Sequence, residues 1–452
     1  MLLLLLIWVG ISTLLVLGTR GGAGSAGLPI AYFLGLSLIH VPGAFFCLDS
    51  EWSDVVSLWT RTGFEQTIIG MSAFLIGVVI ARLPAGSMPR SVQPYAPRTL
   101  ACMNLDAVNR LALFYASVGL IMFFVLGRFI SIIPSAGAIA GSVGSLIIIG
   151  ICLRLWAARE SSNTGRFWST LAFLPMLPLG TVVLGGFLAN GTAWVLTILS
   201  FLFTGAKRRA PYLLLAPAVF FLGLSIFVNY WAARDDIRRM VWYQPVGLSE
   251  RLQRIVVMFD NFEWLDLSSA KHRDAITDRM NTNWLVGAAM ERLDSGQVEY
   301  ASGATLGNML LGLIPRAIWP DKPVVGGGGT VVHDFTGIEF AEGTSVGAGQ
   351  VLEFYANFGT WGVIGGFLIY GWLLGRMDLR VIGCLRSGDQ KGYVFWFSIA
   401  VALLFPGGNL LEIFVGAASG AATGYGIGCL LDGRRFVTRV IGHSRAKIVG
   451  HE

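Results

Sequence analysis

Charge is scarce in this chain. Only 13% of its 452 residues are Asp, Glu, Lys or Arg, against about 25% in a soluble domain, which excludes an ordinary cytosolic enzyme. Cysteine chemistry is equally thin. Cys47, Cys102, Cys152, Cys384 and Cys429 lie far apart, mostly in or beside apolar segments, with no Cys-x-x-Cys spacing for a metal or redox centre. They read as small buried hydrophobes. The basic residues give a formal net charge of +6 but are scattered among short loops, without a basic domain or an aromatic platform, so nucleic acid is set aside as a partner. No internal repeat is evident, which weighs against transporters built from inverted repeats. What the chain has is apolar length. Hydrophobic residues make up 54% and the mean hydropathy is +0.66, with runs long enough to cross a ~30 Å hydrocarbon core.

These runs fall at residues 1–18, 28–47, 67–83, 110–128, 134–156, 167–188, 191–206, 211–232, 348–375, 393–406 and 411–431. They predict an all-α, polytopic transmembrane helix bundle of about eleven spans. Residues 1–18 have a signal peptide's apolar core without a basic region before it, and read as a retained first helix. Residues 1–233 form an N-terminal bundle of about eight spans, 234–347 a large external loop, 348–431 a C-terminal bundle of about three spans and 432–452 a tail. Short loops bearing Arg82, Arg90, Arg98 and Arg110, then Arg154, Arg159 and Arg166, then Lys207, Arg208 and Arg209, then Arg376, Arg380, Arg386 and Lys391 fall on one side, with the basic tail. Positive short loops resist translocation, so that side is the cytoplasm. The opposite loops are acidic or neutral (Asp49, Glu51, Asp54, Glu65), with Arg61 and Arg128 the exceptions. The long segment 234–343 holds 15 of the 27 acidic and 11 of the 33 basic residues, and is placed outside, facing the periplasm. The expected location is a bacterial inner membrane, with the N-terminus outside and the C-terminus inside.

Within the loop, Leu248, Leu252, Ile255, Val256 and Phe259 repeat at helical spacing, as do Ile276, Met280, Trp284, Leu285 and Ala288. They predict amphipathic helices over 248–262 and 274–293, lying on the outer leaflet or over the bundle. Trp242, Trp264 and Trp284 suit an interfacial position.

The most unusual run is Ile314-Pro315-Arg316-Ala317-Ile318-Trp319-Pro320-Asp321-Lys322-Pro323. Its three prolines rule out a continuous helix and leave a stiff loop. A preorganised Arg316 suits phosphate, because its planar fork meets two oxygens at once. The structural alternative is a Pro-Trp interfacial turn with Arg316 snorkelling to headgroups. Gly326 to Gly329 then form a hinge or an anion cradle, without the Lys-Ser/Thr of a P-loop. His272 and His333 lack ligand-spaced companions for a metal. The next span opens with Gln350, Glu353 and Asn357 on one helical face over about 10 Å, and an ionisable group there is a functional candidate or an internal hydrogen-bond partner. Asn409 and Glu412 repeat the theme more weakly. Gly362 and Gly366 permit close helix packing.

The Ile-Pro-Arg-x-x-Trp-Pro-Asp-Lys-Pro run, preceded by Gly303-x-Thr305 and followed by Glu353-x-Tyr355-x-Asn357-Phe358-Gly359-x-x-Gly362, resembles the bacterial O-antigen and exopolysaccharide repeat-unit polymerases (Wzy-type). The motifs cover roughly residues 300–362, and the hydropathy of the whole chain is similar too. The resemblance implies a GT-C-like, metal-independent membrane glycosyltransferase without a cofactor, acting on undecaprenyl-diphosphate-linked glycans, with a chain-length regulator and a flippase as possible partners. It implies Arg316 and Lys322 on the diphosphate, helped by Arg279 or Arg292, and Glu353 as acid/base. Tyr355, Asn357, Gln350, Trp319 and Asp321 would contact substrate. The alternatives are an O-antigen ligase, whose usual His-Asn pair is replaced here by Glu353 to Asn357, a lipid-linked glycan transporter or flippase, and a scaffold subunit of an export complex.

Overall fold

The computed structural model describes residues 1–19, 24–48, 54–83, 104–130, 136–243, 246–260, 262–314, 318–319, 321–322, 326–340 and 346–449, with side chains as far as 432. Of the loop charges used above, Asp49, Glu51, Arg90 and Arg98 lie outside these residues. All regular structure among the described residues is helical. The first half holds α1 (Leu2–Gly18), α2 (Leu28–Phe46), α3 (Val55–Arg82), α4 (Leu105–Ile121), α5 (Gly127–Ile130), α6 (Ala136–Gly144), α7 (Leu146–Glu160), α8 (Thr164–Ala172), α9 (Met176–Gly185), α10 (Leu188–Thr204) and α11 (Ala210–Arg238). The loop contributes α12 (Leu248–Asp260), α13 (Ala270–Arg279), α14 (Asn283–Asp294), α15 (Ala304–Gly312) and α16 (Gly328–Thr336). The last part holds α17 (Gly349–Ser387), α18 (Gln390–Ala402) and α19 (Leu410–Val449), so the basic tail continues the final helix.

The described residues of the eleven apolar segments are largely helical, the 167–188 segment being divided between α8 and α9. Eight of the described helical stretches are long and apolar enough to cross a membrane, while α1 and α10 are apolar but shorter. The chain is a multi-pass helical membrane protein. Helices begin where a polar residue interrupts the apolar run: the side chains of Asp54, Asn104, Asn163 and Asp389 each accept a first-turn N–H of the helix that follows, satisfying donors that the helix leaves open.

Lipid offers no hydrophobic drive for helix association, so packing depends on close backbone approach. The α3–α17 pair shows how the sequence provides it. A Cβ at Gly77 would stand 2.2 Å from the Leu368 carbonyl, and one at Gly371 2.2 Å from that of Phe74. At one end of this pair Asp378, fully buried, accepts the backbone N–H groups of Ala26 (2.9 Å) and Leu28 (3.1 Å) and pairs with Arg82. This knot ties the α1–α2 connection to both helices.

At the other end the loop enters the bundle. The 274–293 segment divides at 280–282, and α14 runs along α3 instead of lying on a surface: a Cβ at Gly63 would stand 2.0 Å from the Asn283 carbonyl, and one at Gly287 2.1 Å from that of Trp59. Asn283, Leu285, Val286, Gly287, Ala288, Ala289 and Leu293 are all buried, and Trp284 packs against the core instead of an interface. The reason is chemical. Small residues let α14 approach α3, and His40 and Thr67 satisfy the Asn283 amide at 2.7 and 3.1 Å.

α17 also departs from a single span. Phe358 (φ −142°, ψ 24°) and Gly359 (φ 59°, ψ −149°) break it, the latter in a conformation that essentially only glycine adopts. The short limb, 349–357, folds back on the long limb, 360–387: a Cβ at Gly362 would stand 2.2 Å from the Phe354 carbonyl, and one at Gly366 2.6 Å from its ring. Close packing at Gly362 and Gly366 is therefore internal to α17.

Candidate functional site

The short limb of α17 carries three buried polar side chains on one face, and each has definite partners. Gln350 accepts from the Tyr32 hydroxyl (2.9 Å) and donates to the carbonyls of Phe405 (2.9 Å) and Gly408 (3.0 Å). These contacts hold the limb to α2 and to the α18–α19 connection, which leaves Gln350 a bracing residue with no face toward a substrate. Glu353, 1% exposed, accepts the Leu410 N–H at 2.7 Å and hydrogen bonds Thr305. Its carboxylate thus sits on the N-terminus of α19, where a negative charge is favourable. Asn409 adds a second cap by accepting the Glu412 N–H at 2.9 Å. Glu412 is exposed on the first turn of α19, the helix whose N-terminus Glu353 caps.

Asn357 closes the limb. Its oxygen accepts the Gly303 N–H at 3.0 Å and its amide donates to Thr305 at 2.7 Å. The Gly303-x-Thr305 and Glu353-to-Gly362 motifs, some fifty residues apart in sequence, are thereby joined in space. Tyr355 donates to Asp294 at 2.9 Å, and Tyr300 donates to the same carboxylate at 2.7 Å. Tyr300 and Asp294 are exposed, so Tyr355 braces a surface carboxylate from beneath.

The proline-rich run is only partly described. Arg316 lies outside the described residues, as do Pro315, Ala317, Pro320 and Pro323. Lys322 donates to the carbonyls of Leu311 (3.1 Å) and Ile314 (3.0 Å), which close the C-terminal end of α15, a use of a cation that the helix dipole favours. Trp319 and Asp321 are exposed. α15 itself packs on α19, with the Gly312 backbone against Leu411 and Val415, next to the first turn of α19 that Glu353 caps.

Arg279 and Arg292 do not converge, because they stand off opposite ends of α14. Arg292 lies over Gly337 at the end of α16. Ala275, Ile276 and Met280 pack against Leu224, Phe227 and Val228 of α11, which brings Arg279 within electrostatic reach of Arg234 and Arg238 in the last turns of α11. Desolvation first, and then these two positive neighbours, lower its pKa below the usual guanidinium value. A guanidinium that stays charged in such a place is a standing attraction for an anion. Asp235 pairs with Arg234 at 3.1 Å, but among the described residues no carboxylate forms a salt bridge with Arg238 or Arg279, and the buried Nε of Arg238 lacks a hydrogen-bond partner. Aromatic rings hold the guanidinium groups in place: Arg234 lies 4.2 Å from the Trp231 centroid, and Arg238 lies 5.0 Å from Phe187 and 5.1 Å from Trp242. The cluster can bind an anion of two or more charges through several donors at once.

Sequence reasoning placed Arg279 among the candidates but missed Arg234 and Arg238. Their i, i+4 spacing beside Trp231, just past a long apolar run, was the available signal. Asp294 gave none, since its tyrosine partners are brought to it by the fold. Histidine supplies no metal centre among the described residues, where no group of three potential ligands occurs; His272 bonds Glu263 and the Asp266 N–H. Comparison with protein-family models, with curated proteins and with solved structures finds no match to the chain.

Proposed function

We propose that this protein polymerises undecaprenyl-diphosphate-linked oligosaccharide repeat units at the outer face of a bacterial inner membrane, as the resemblance of residues 300–362 to the repeat-unit polymerases implies. The observation that carries the reading is the Arg234–Arg238–Arg279 cluster at the end of a long apolar helix, in which, among the described residues, Arg234 pairs with Asp235 and has Asp278 within electrostatic reach while Arg238 and Arg279 form no salt bridge. A lipid diphosphate needs cations for its head and an apolar surface for its tail. Below the cluster, α11 exposes Leu213, Leu214, Leu215, Val219, Phe220 and Leu222. In the reaction an acceptor hydroxyl attacks the anomeric carbon of the donor sugar, the bond to the diphosphate breaks, and the electron pair leaves on a phosphate oxygen. Fixed positive charge favours that departure. The acceptor proton passes to a carboxylate, and Glu412, exposed on the first turn of the helix whose N-terminus Glu353 caps, is the candidate. Glu353 then serves as a positioning residue, seating the helix that carries Glu412.

One observation favours a second reading, a lipid-linked glycan transporter: the short limb of α17 and its buried polar contacts form a broken helix, a device transporters use to line a binding site. Incubating the purified, reconstituted protein with an undecaprenyl-diphosphate repeat unit separates the two. A ladder of chain lengths is expected. Movement of the unit across the vesicle bilayer without a ladder would replace the polymerase with the transporter.

A further inference from the structure

α12 carries apolar residues over a wider arc than the protein covers. Ile255 and Met258 turn inward onto Val182, Val183, Tyr230 and Ile237 of α9 and α11. Leu248, Leu252, Val256 and Phe259 form an adjoining stripe at i, i+4, i+8 and i+11, and each is 42–57% exposed. Glu250, Gln253 and Asp260 lie on the remaining exposed arc with Val257, 39% exposed, and Arg254 turns toward α11.

Two observations identify what covers the stripe. The first is continuity with the surface of α11 that faces lipid. Phe259 stacks with Phe262 at 6.1 Å, Phe262 meets Trp264 edge-on at 5.2 Å, and Trp264 stacks on Phe221 at 6.1 Å. Phe221 belongs to the stretch of α11 whose apolar residues are exposed. The second is height. The helix from Ala210 to Tyr230 rises ~30 Å, the thickness of the hydrocarbon core, and Tyr230 and Ile237 are where α12 docks.

We propose that α12 lies in the bilayer interface at the loop side, with the Leu248–Leu252–Val256–Phe259 stripe among the acyl chains, and that it sets the height of the arginine cluster at the lipid phosphates. The mechanical link is Asp236, which accepts from Arg254 of α12 and from Arg239, both at 2.6 Å, on the same turns of α11 that hold Arg234 and Arg238. A cluster at that height meets anions carried by lipid before those dissolved in water. This last point rests on the proposed function; the position of α12 does not.

The test uses the full chain without its native cysteines, in vesicles of phosphatidylethanolamine and phosphatidylglycerol, with spin labels placed one at a time at Leu252→Cys, Val256→Cys, Gln253→Cys and Ala232→Cys. Oxygen, which concentrates in lipid, and a water-soluble nickel chelate are the relaxing agents. The expected result is an oxygen-to-nickel ratio several-fold higher at 252 and 256 than at 253, with the Ala232 label reading near the phosphates. A label at 256 as accessible to nickel as that at 253 would overturn the proposal, and so would shielding from both agents, which would mean a protein cover. Adding Leu248→Ser and Phe259→Ser should shift the Ala232 label toward water; an unchanged reading would reject the height-setting role. Labels in lipid together with a failed polymerisation assay would sink the function and leave the anchor standing.

Discussion

Arg279 is where charge and its lack of company matter most. Among the described residues its guanidinium forms no salt bridge, and two arginines lie within its electrostatic reach, so its contribution to folding should be small and its charge free to serve an anion. Arg279→Gln should therefore leave thermal stability within about 0.5 kcal/mol of wild type yet weaken binding of a lipid diphosphate tenfold or more, since a charge-assisted hydrogen bond is worth about 1.5–3 kcal/mol and ~1.4 kcal/mol is a decade in Kd. Arg292→Gln, off the other end of α14, should not change that affinity; equal losses at both positions would dissolve the cluster as a site. Glu353 should behave in the opposite manner. Glu353→Ala strands the buried Leu410 N–H at a cost of about 1–3 kcal/mol, whereas Glu353→Gln keeps an oxygen for it. Thermal unfolding in detergent should rank wild type and Gln close together and Ala well below. If Gln falls as far as Ala, the carboxylate's charge matters more than its cap.

Among the elements, the fold-back of α17 concentrates strain at one residue. Gly359→Ala forces a Cβ into a backbone conformation that disfavours it, for about 1–3 kcal/mol, while Gly365→Ala, with nothing near its added methyl, is the control on the long limb. A Gly359→Ala protein as stable as that control would mean the limb reorganises at no cost. The segment leading into α13 should respond to pH. The His272 hydrogen bond first, and then Lys271, hold the Glu263 carboxyl below the usual carboxylate range. A depressed carboxylate contributes stability that is present above its unfolded pKa and lost as pH falls through the folded one. Hydrogen-exchange protection over 263–272, corrected for the intrinsic pH dependence of exchange, should thus fall as pH drops below that ordinary range, and Glu263→Gln should show the lower protection already at pH 7. A pH-independent wild type would leave Glu263 without a part in holding the segment.

For the whole molecule, the expected orientation can be read with single cysteines in a cysteine-free background. Ser269→Cys or Gly327→Cys should react with an impermeant thiol reagent in intact spheroplasts, and Ser161→Cys or Ser387→Cys should not. The reverse pattern would move the loop, and the arginine cluster with it, to the cytoplasm and remove the polymerase reading.

Length and apolarity were enough to foresee a helical membrane bundle, eight of whose described helices are long and apolar enough to span where eleven were expected, because in a bilayer the backbone must satisfy its own hydrogen bonds and a long apolar run has no alternative to helix. Periodicity likewise put Gln350, Glu353 and Asn357 on one face, since a helix fixes that relation by itself. What those side chains touch was a different matter. Glu353 meets Leu410 and Asn357 meets Gly303 across more than fifty residues of sequence, and no local rule contains such a distance. The 274–293 segment carries the same lesson: its apolar pattern required an apolar neighbour without saying whether that was lipid or protein, and the small residues of α3 and α14 decided for protein. Arg234, Arg238 and Arg279 are three ordinary loop charges in the sequence. Only the docking of α13 against α11 brings them within electrostatic reach of one another, because the joint field of several charges depends on distance in space, which tertiary packing alone sets.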